Sequence, residues 1–227
     1  MKYTIIFTLI IGLIFISCGQ NNPIGDQIVT TEEEQIESLQ GSEVSKDEEE
    51  ILNLIRRAVK WGYYQNEINL TPALADENDS LFIGFDMNEH KQNLDKLKKT
   101  DFFTTEFIEN YNQIIIELDK KIKNKEITEW YVGDLQPFVF ACDASPWCLS
   151  QEIPFNDANL WKIEIEIISL NNEKGKLEWK WAKNIVTDPD WTWLGKFRYK
   201  FRVKKENNKW KISYMEGFDF KESVKVW

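Results

Sequence analysis

Four segments near the C-terminal end alternate between large apolar and polar or charged residues, and no other feature of the chain restricts its fold as much. Trp161, Ile163, Ile165 and Ile167 alternate with Lys162, Glu164 and Glu166. Leu177, Trp179 and Trp181 alternate with Lys176, Glu178 and Lys180. Phe197, Tyr199, Phe201 and Val203 alternate with Lys196, Arg198, Lys200, Arg202 and Lys204, and Trp210, Ile212 and Tyr214 with Lys211 and Ser213. A period of two puts the two sets on opposite faces of a strand. The pattern therefore predicts one antiparallel sheet with an apolar face and a charged face. Asn171-Asn172-Glu173-Lys174-Gly175 and Glu206-Asn207-Asn208 supply the turns. On the charged face, Lys and Glu of neighbouring strands are expected to pair. The basic run from Lys196 to Lys204 then reads as a solvated face, and no nucleic-acid partner is expected.

An apolar sheet face must be covered, and the residues ahead of the strands supply helices. Ser45-x-x-Glu48 has the form of a capping box, and Ile51, Leu54, Ile55, Ala58 and Trp61 recur at helical spacing, predicting a helix over about 46–64. Residues 65–88, with Pro72 and the acidic group Asp76-Glu77-Asn78-Asp79, read as a long irregular segment, and 89–99 as a short polar helix with Leu94 and Leu97 inward. The only histidine, His90, lies there among charges and reads as a surface residue. Thr104 is placed to cap a long helix, with Phe103 and Ile108 as a hydrophobic staple. Phe107, Ile108, Tyr111, Ile114, Ile115, Leu118 and Ile122 then form one apolar stripe. Trp130-Tyr131-Val132 reads as short and extended, and Pro137 makes Leu135–Ala141 an edge or a loop. Helices first and strands second give an α+β class, a curved, mainly antiparallel sheet of four to five strands with the stapled helix as its cover.

The chain start has a different character. Lys2 is followed by the apolar run Ile5 to Ile16, too short for a membrane span of about 20 residues and of the length of a signal-peptide core. Phe15-Ile16-Ser17-Cys18 follows and resembles the lipobox of bacterial lipoproteins. That resemblance implies cleavage before Cys18, a diacylglyceryl thioether on its sulfur and an acylated new N-terminus, with palmitate-type chains holding a soluble domain on a bilayer. Gly19 rather than Asp after the cysteine implies, by the same likeness, the periplasmic side of an outer membrane where the host has one. Residues 1–17 are then a signal peptide, 18–44 an acidic flexible tether and 45–227 one domain. Ten of the acidic side chains and one Lys fall within 19–50, so most of the net charge of −10 belongs to the tether and the helix start, and the rest is nearly neutral. A domain without a basic surplus gives no electrostatic reason for nucleic acid.

The order of helix, loop, long helix and antiparallel sheet resembles the nuclear-transport-factor-2-like, cystatin-like superfamily of cone-shaped α+β domains. Within it the chain is similar to small envelope domains of unknown function, through Asp101-Phe102-Phe103-Thr104, Gly133-Asp134-Leu135-Gln136-Pro137-Phe138, Ala141-Cys142-Asp143 and Asn208-Lys209-Trp210-Lys211-Ile212. Cys142 stands where that pattern has Gln. The resemblance implies a pocket between the concave sheet face and the helices, and it implies no reaction, since the fold hosts enzymes and binders alike.

With one histidine and no second free cysteine cluster, a His/Cys zinc site is not expected, and no glycine-rich phosphate loop is present. No metal and no cofactor is expected. Asp134 and Asp143 are the candidate general bases, with Tyr131 or Tyr63 as hydrogen-bond donors; the other account of both aspartates is turn capping beside Gly133 and Ser145-Pro146. Trp191 and Trp193 share the parity of Phe197 and extend the apolar face toward a pocket mouth. With Trp61, Tyr63, Tyr131 and Trp147 they are the candidate ligand-binding residues, for a sugar, an apolar molecule or a partner's segment. If Cys18 carries lipid, Cys142 and Cys148 remain as a pair in an oxidising compartment. Five residues separate them, unlike a redox Cys-x-x-Cys, and a disulfide is expected to fix Asp143, Pro146 and Trp147 beside the mouth. Three functions stay open: a noncatalytic envelope module binding a ligand or protein, a scaffold or toxin-neutralising interaction protein, and a small-molecule enzyme with an Asp base.

Overall fold

The structure, a computed structural model, describes residues 32–64, 67–142, 144–148, 163–182 and 196–227. Residues 1–17, expected as a signal peptide, and Cys18, Asp143, Trp161, Trp191 and Trp193 lie outside the described residues, as does the side chain of Tyr63. The class is α+β. In chain order the elements are α1 (Glu32–Tyr64), β1 (Ala73–Ala75), β2 (Phe82–Phe85), α2 (Met87–Thr100), α3 (Thr105–Lys123), β3 (Ile163–Leu170), β4 (Lys174–Trp181), β5 (Tyr199–Glu206), β6 (Lys209–Met215), a 3-10 turn (Glu216–Phe218) and α4 (Phe220–Ser223).

The main sheet is antiparallel with strands in sequence order, β3-β4-β5-β6. Its apolar face follows the alternation: Leu177, Trp179, Trp181, Tyr199, Phe201, Val203, Trp210 and Ile212 are buried. The alternation is interrupted twice: on β3, where Ile167 pairs with Leu177 and Ser169 with Lys176 so that Ile168 is extra and exposed, and on β6. Arg202 pairs with Tyr214 and Val203 with Ile212, so Ser213 is an extra residue on β6. A bulge of this kind turns the following side chains over. Met215 therefore enters the core, and Tyr214, expected inside, comes to the outer face beneath Arg202, whose guanidinium carbon is 4.7 Å from its ring centroid.

Cross-strand charge pairing is only partial. Lys180 meets Glu164 at 3.2 Å, but Glu166 stands opposite Glu178, Lys176 opposite Arg202 and Lys174 opposite Lys204. The expected alternation of sign is thus corrected for the end of the sheet near the 171–173 turn.

The apolar face is covered by two helices, not one. Ile51, Leu54, Ile55, Ala58 and Val59 of α1 are buried, and α1 packs on β6 and β3. Helix α1 starts at Glu32, so the expected start near residue 46 is corrected and positions 45 and 48 are interior to the helix. Gly41 is the one poor helix former in this stretch, at a cost of about 1 kcal/mol, which does not by itself end a helix. Helix α3 begins as expected: Thr104 Oγ1 accepts from the Phe107 N–H at 3.1 Å, with Phe103 and Ile108 buried on either side of the cap. The segment before α3 also completes the sheet. Thr104 N–H donates to Ile212 O (2.9 Å) and Ile212 N–H to Phe102 O (2.8 Å), occupying the open edge of β6.

Residues 65–88 are not irregular throughout. β1 and β2 form a small antiparallel hairpin, and Asp76 closes its turn by accepting from the N–H groups of Ser80 (2.8 Å) and Leu81 (3.3 Å). The Phe85 N–H donates to Asp119 on α3 (2.8 Å), which ties the hairpin to the long helix. Asp86 then caps α2 through the N–H groups of Asn88 and Glu89. On α2 the inward stripe is His90, Asn93 and Leu97. His90 is thus buried, not exposed as expected. Its Nε2 is 2.9 Å from Asn112 Oδ1, and its ring meets Tyr111 edge to face at 5.2 Å.

Candidate functional site

Trp61 is where the expected site residues and the observed cavities meet. It is the last large residue of the α1 apolar stripe and is half-buried. One side of its ring packs inward, 5.4 Å from Trp147 and 6.0 Å from Phe103 between centroids. Phe102 is 6.1 Å away, and these two rings begin a cleft of about 340 Å³ lined by Trp61, Glu67, Ile68, Lys96, Lys99 and Thr100 as well as Phe102.

The local sequence explains this arrangement. Phe102 and Phe103 are consecutive in an extended segment, so one side chain goes inward and the other sideways. Phe103 stacks on Phe107 at 4.5 Å, while the Arg57 guanidinium lies 5.1 Å above Phe102. Asp101, in the left-handed conformation (φ 58°), ends α2 and directs the chain into this segment. The last turn of α2 carries Lys98 and Lys99, where positive charge favours the helix's negative end. The cleft thus has an apolar floor and a cationic rim on which Lys96 Nζ already donates to the Glu67 carbonyl at 2.7 Å. It can hold a flat apolar or aromatic group and meet a negative or carbonyl group at the edge.

Trp147 is part of the core beneath the cleft. It is 3% exposed and packs against Phe218 at 4.8 Å and against Trp61. This corrects its expected place on a binding surface. Gly62 makes the fit possible, since a Cβ there would stand 3.0–3.1 Å from the Trp147 side chain. Pro146 is fixed as well: its carbonyl accepts from the buried Tyr199 hydroxyl, whose oxygen in turn accepts from the Gly217 N–H at 3.3 Å. Burial raises the Tyr199 hydroxyl pKa well above its usual value, so it remains a donor. The disulfide expected between Cys142 and Cys148 is not formed in the structure; Cys148 is buried and Cys142 half-buried. The loop is held by the insertion of Trp147 and by the Tyr199–Pro146 hydrogen bond.

Asp134 and Tyr131 lie elsewhere. Both are exposed and share one turn, in which the Asp134 N–H donates to Tyr131 O (3.0 Å) and Gly133 takes φ 98°. Tyr131 donates to Glu129 at 2.6 Å, and that carboxylate raises the phenol's pKa. Neither Asp134 nor Tyr131 lines the Trp61 cleft. A second cavity of about 290 Å³ lies between the hairpin and the end of α3, walled by Phe82, Ile122 and Trp130. Among the described residues no group of His, Cys, Asp and Glu is placed to hold a metal ion, and no helix is long and apolar enough to cross a membrane.

Sequence reasoning found Trp61 but missed Phe102, Ile68, Lys96 and Lys99. The doublet Phe102-Phe103 was the available signal, because a staple consumes only one of the two rings. Neither a protein-family model nor a curated protein nor a solved structure matches this chain.

Proposed function

We propose that this protein is a lipid-anchored envelope protein whose α+β domain, of the cone type, is a noncatalytic binding module. The anchor would be Cys18, with palmitate-type chains in the membrane and the domain on the periplasmic side. The reading of the anchor rests on Lys2, the apolar run from Ile5 to Ile16 and the Ser17-Cys18 junction. Binding is carried by one observation: a half-buried tryptophan opens a cleft of about 340 Å³ with Phe102 as its second ring and lysines on its rim. Tryptophan presents a large apolar area at low entropic cost and is enriched where a ligand or partner is gripped. A small apolar or sugar molecule, or an aromatic side chain of a protein segment, fits such a floor.

The test has two parts. Growth with an alkyne-bearing fatty acid should label the wild-type chain and leave Cys18→Ser unlabelled and released from membranes. Native lipidated protein should then be cross-linked, extracted and compared with Trp61→Ala for co-purifying small molecules and proteins by mass spectrometry. A species lost from Trp61→Ala, with unfolding unchanged, supports the cleft. Identical recoveries from both would sink it, and a labelled Cys18→Ser would sink the anchor.

A further inference from the structure

The outer face of the sheet has a concentration of positive charge that is independent of the cleft and of the anchor. Lys174 of β4 stands directly opposite Lys204 of β5, and the next pair on the same face is Lys176 opposite Arg202. Directly opposed side chains have their Cβ atoms about 5 Å apart, and like charges there destabilise a sheet. Elsewhere on this face the cost is only partly avoided: Glu166 stands opposite Glu178, and Lys204 also faces Lys211, which is neutralised by Asp101 and Glu206. Lys180 meets Glu164 at 3.2 Å, and Lys200 stands opposite Glu178 and reaches Glu216 at 3.5 Å. In the quartet the sole ion pair among the described residues is Lys204 with exposed Glu106, at 3.8 Å. The bulge at Ser213 adds to the arrangement by bringing Tyr214 beneath the Arg202 guanidinium, a stacking that fixes its plane. The four cations, with the carboxylates Glu106 and Glu173 also in the lining, wall a concavity of about 570 Å³ that reaches Ser169 and Ser213, within the range of small-ligand sites.

We propose that this concavity binds a small multivalent oxyanion, a molecule carrying two or more phosphate groups close together. Successive same-face positions on a strand are about 7 Å apart. The two cation pairs therefore form two adjacent positive positions, each able to straddle one phosphate. Arg202 supplies planar donors suited to phosphate oxygens, the three lysines supply charge, and the serine hydroxyls supply further donors. Binding turns a destabilising cluster into a neutralised one, so the ligand stabilises the sheet through the same contacts that hold it. Glu106 gives up Lys204 on binding.

The experiment uses the full-length chain in neutral detergent, with sodium tripolyphosphate as probe and orthophosphate at equal phosphate-group concentration as control. Calorimetric titration and thermal unfolding are run at two salt concentrations. Tripolyphosphate should bind, raise Tm and weaken with salt, while orthophosphate should do so far less. Lys176→Glu should lose about tenfold or more in affinity and, without ligand, should unfold roughly 1–4 °C higher, because it replaces a like pair by an opposite one. Lys174→Ala should also weaken binding, and Lys91→Glu, the same charge change on the exposed face of α2, should leave it intact. Equal binding by wild type and Lys176→Glu, or equal weakening by Lys91→Glu, overturns the proposal. A parallel arm measures sedimentation with phosphatidylglycerol vesicles; vesicle binding without tripolyphosphate binding also overturns it, since the face would then be a flat membrane contact.

Discussion

Replacing Gly217 by alanine tests the account of the docked loop in its most exposed form. A Cβ at that position would stand 2.3 Å from the Pro146 carbonyl oxygen, 2.7 Å from its Cα and 2.8 Å from its carbonyl carbon. All three are backbone atoms, so no rotamer change relieves the clash. Nor does backbone conformation confuse the test, because Gly217 is not among the glycines with positive φ. The loop must retreat by roughly 1 Å, at an overpacking cost of about 1–3 kcal/mol. Pro146 then leaves the fully buried Tyr199 hydroxyl, and a buried donor without its acceptor costs about 1–3 kcal/mol more. Together these give a loss of about 3 kcal/mol, or a fall in Tm of roughly 6–12 °C for a domain of this size. Urea unfolding followed by tryptophan fluorescence measures the loss, with Tyr199→Phe as reference. That variant leaves the Pro146 carbonyl and the Gly217 N–H without their partner but does not overpack the loop, so it should lose about 1–2 kcal/mol, less than Gly217→Ala. In reduced protein, Gly217→Ala should also expose Cys148 to iodoacetamide faster than either wild type or Tyr199→Phe. A Gly217→Ala protein within about 0.5 kcal/mol of wild type, or milder than Tyr199→Phe, would refute the reasoning.

Two further outcomes follow from buried and paired charges. Burial lowers the His90 pKa below its usual 6.5, outweighing the hydrogen bond to Asn112. The unfolded chain therefore takes up a proton first as pH falls, so stability is full above about 6.5 and declines on acidification below it; denaturation curves at pH 7.5, 6.5 and 5.5 should show the slope, and His90→Gln should flatten it. Lys209 and then Lys211 hold the Asp101 carboxyl at about 2. A lowered carboxyl pKa stabilises above 3.8 and ceases to as pH falls through about 2. Asn tolerates the left-handed backbone at this cap. Asp101→Asn should therefore lose about 0.5–1 kcal/mol at pH 7, and wild type and variant should converge near pH 2 in urea unfolding.

The sequence showed most where one physical preference acted alone. Leu177, Trp179 and Trp181, like Phe201 and Val203, announce a sheet face because a strand has no other way to bury alternate residues. Thr104 announces a helix start because an orphan N–H needs an acceptor. The readings that failed involve two preferences in competition. Period-two counting does not register an inserted residue, so Tyr214 was placed inward and Met215 overlooked, although the two differ only by the bulge at Ser213. His90 was dismissed for its charged neighbours, yet His90, Asn93 and Leu97 have the spacing of one helical stripe. Admitting polar residues to the stripe would have buried it.

Trp147 shows the deeper reason. Its sequence context, a Ser-Pro turn between two cysteines, suits an exposed loop as well as a buried one. What decides between them lies far along the chain, in two residues without side chains. Gly62 leaves room for the indole and Gly217 leaves room for Pro146. A Cβ at position 217 would overlap the Pro146 backbone, and one at position 62 would press on the Trp147 side chain. A loop ending in a rigid Pro-Trp docks only where the opposing surfaces are cut back to backbone. That complementarity belongs to pairs of residues, and a single sequence read one window at a time contains only its halves. The cleft inherits the same dependence: Trp61 stands at the surface with one side free because Trp147, admitted past Gly62, already fills the space behind it.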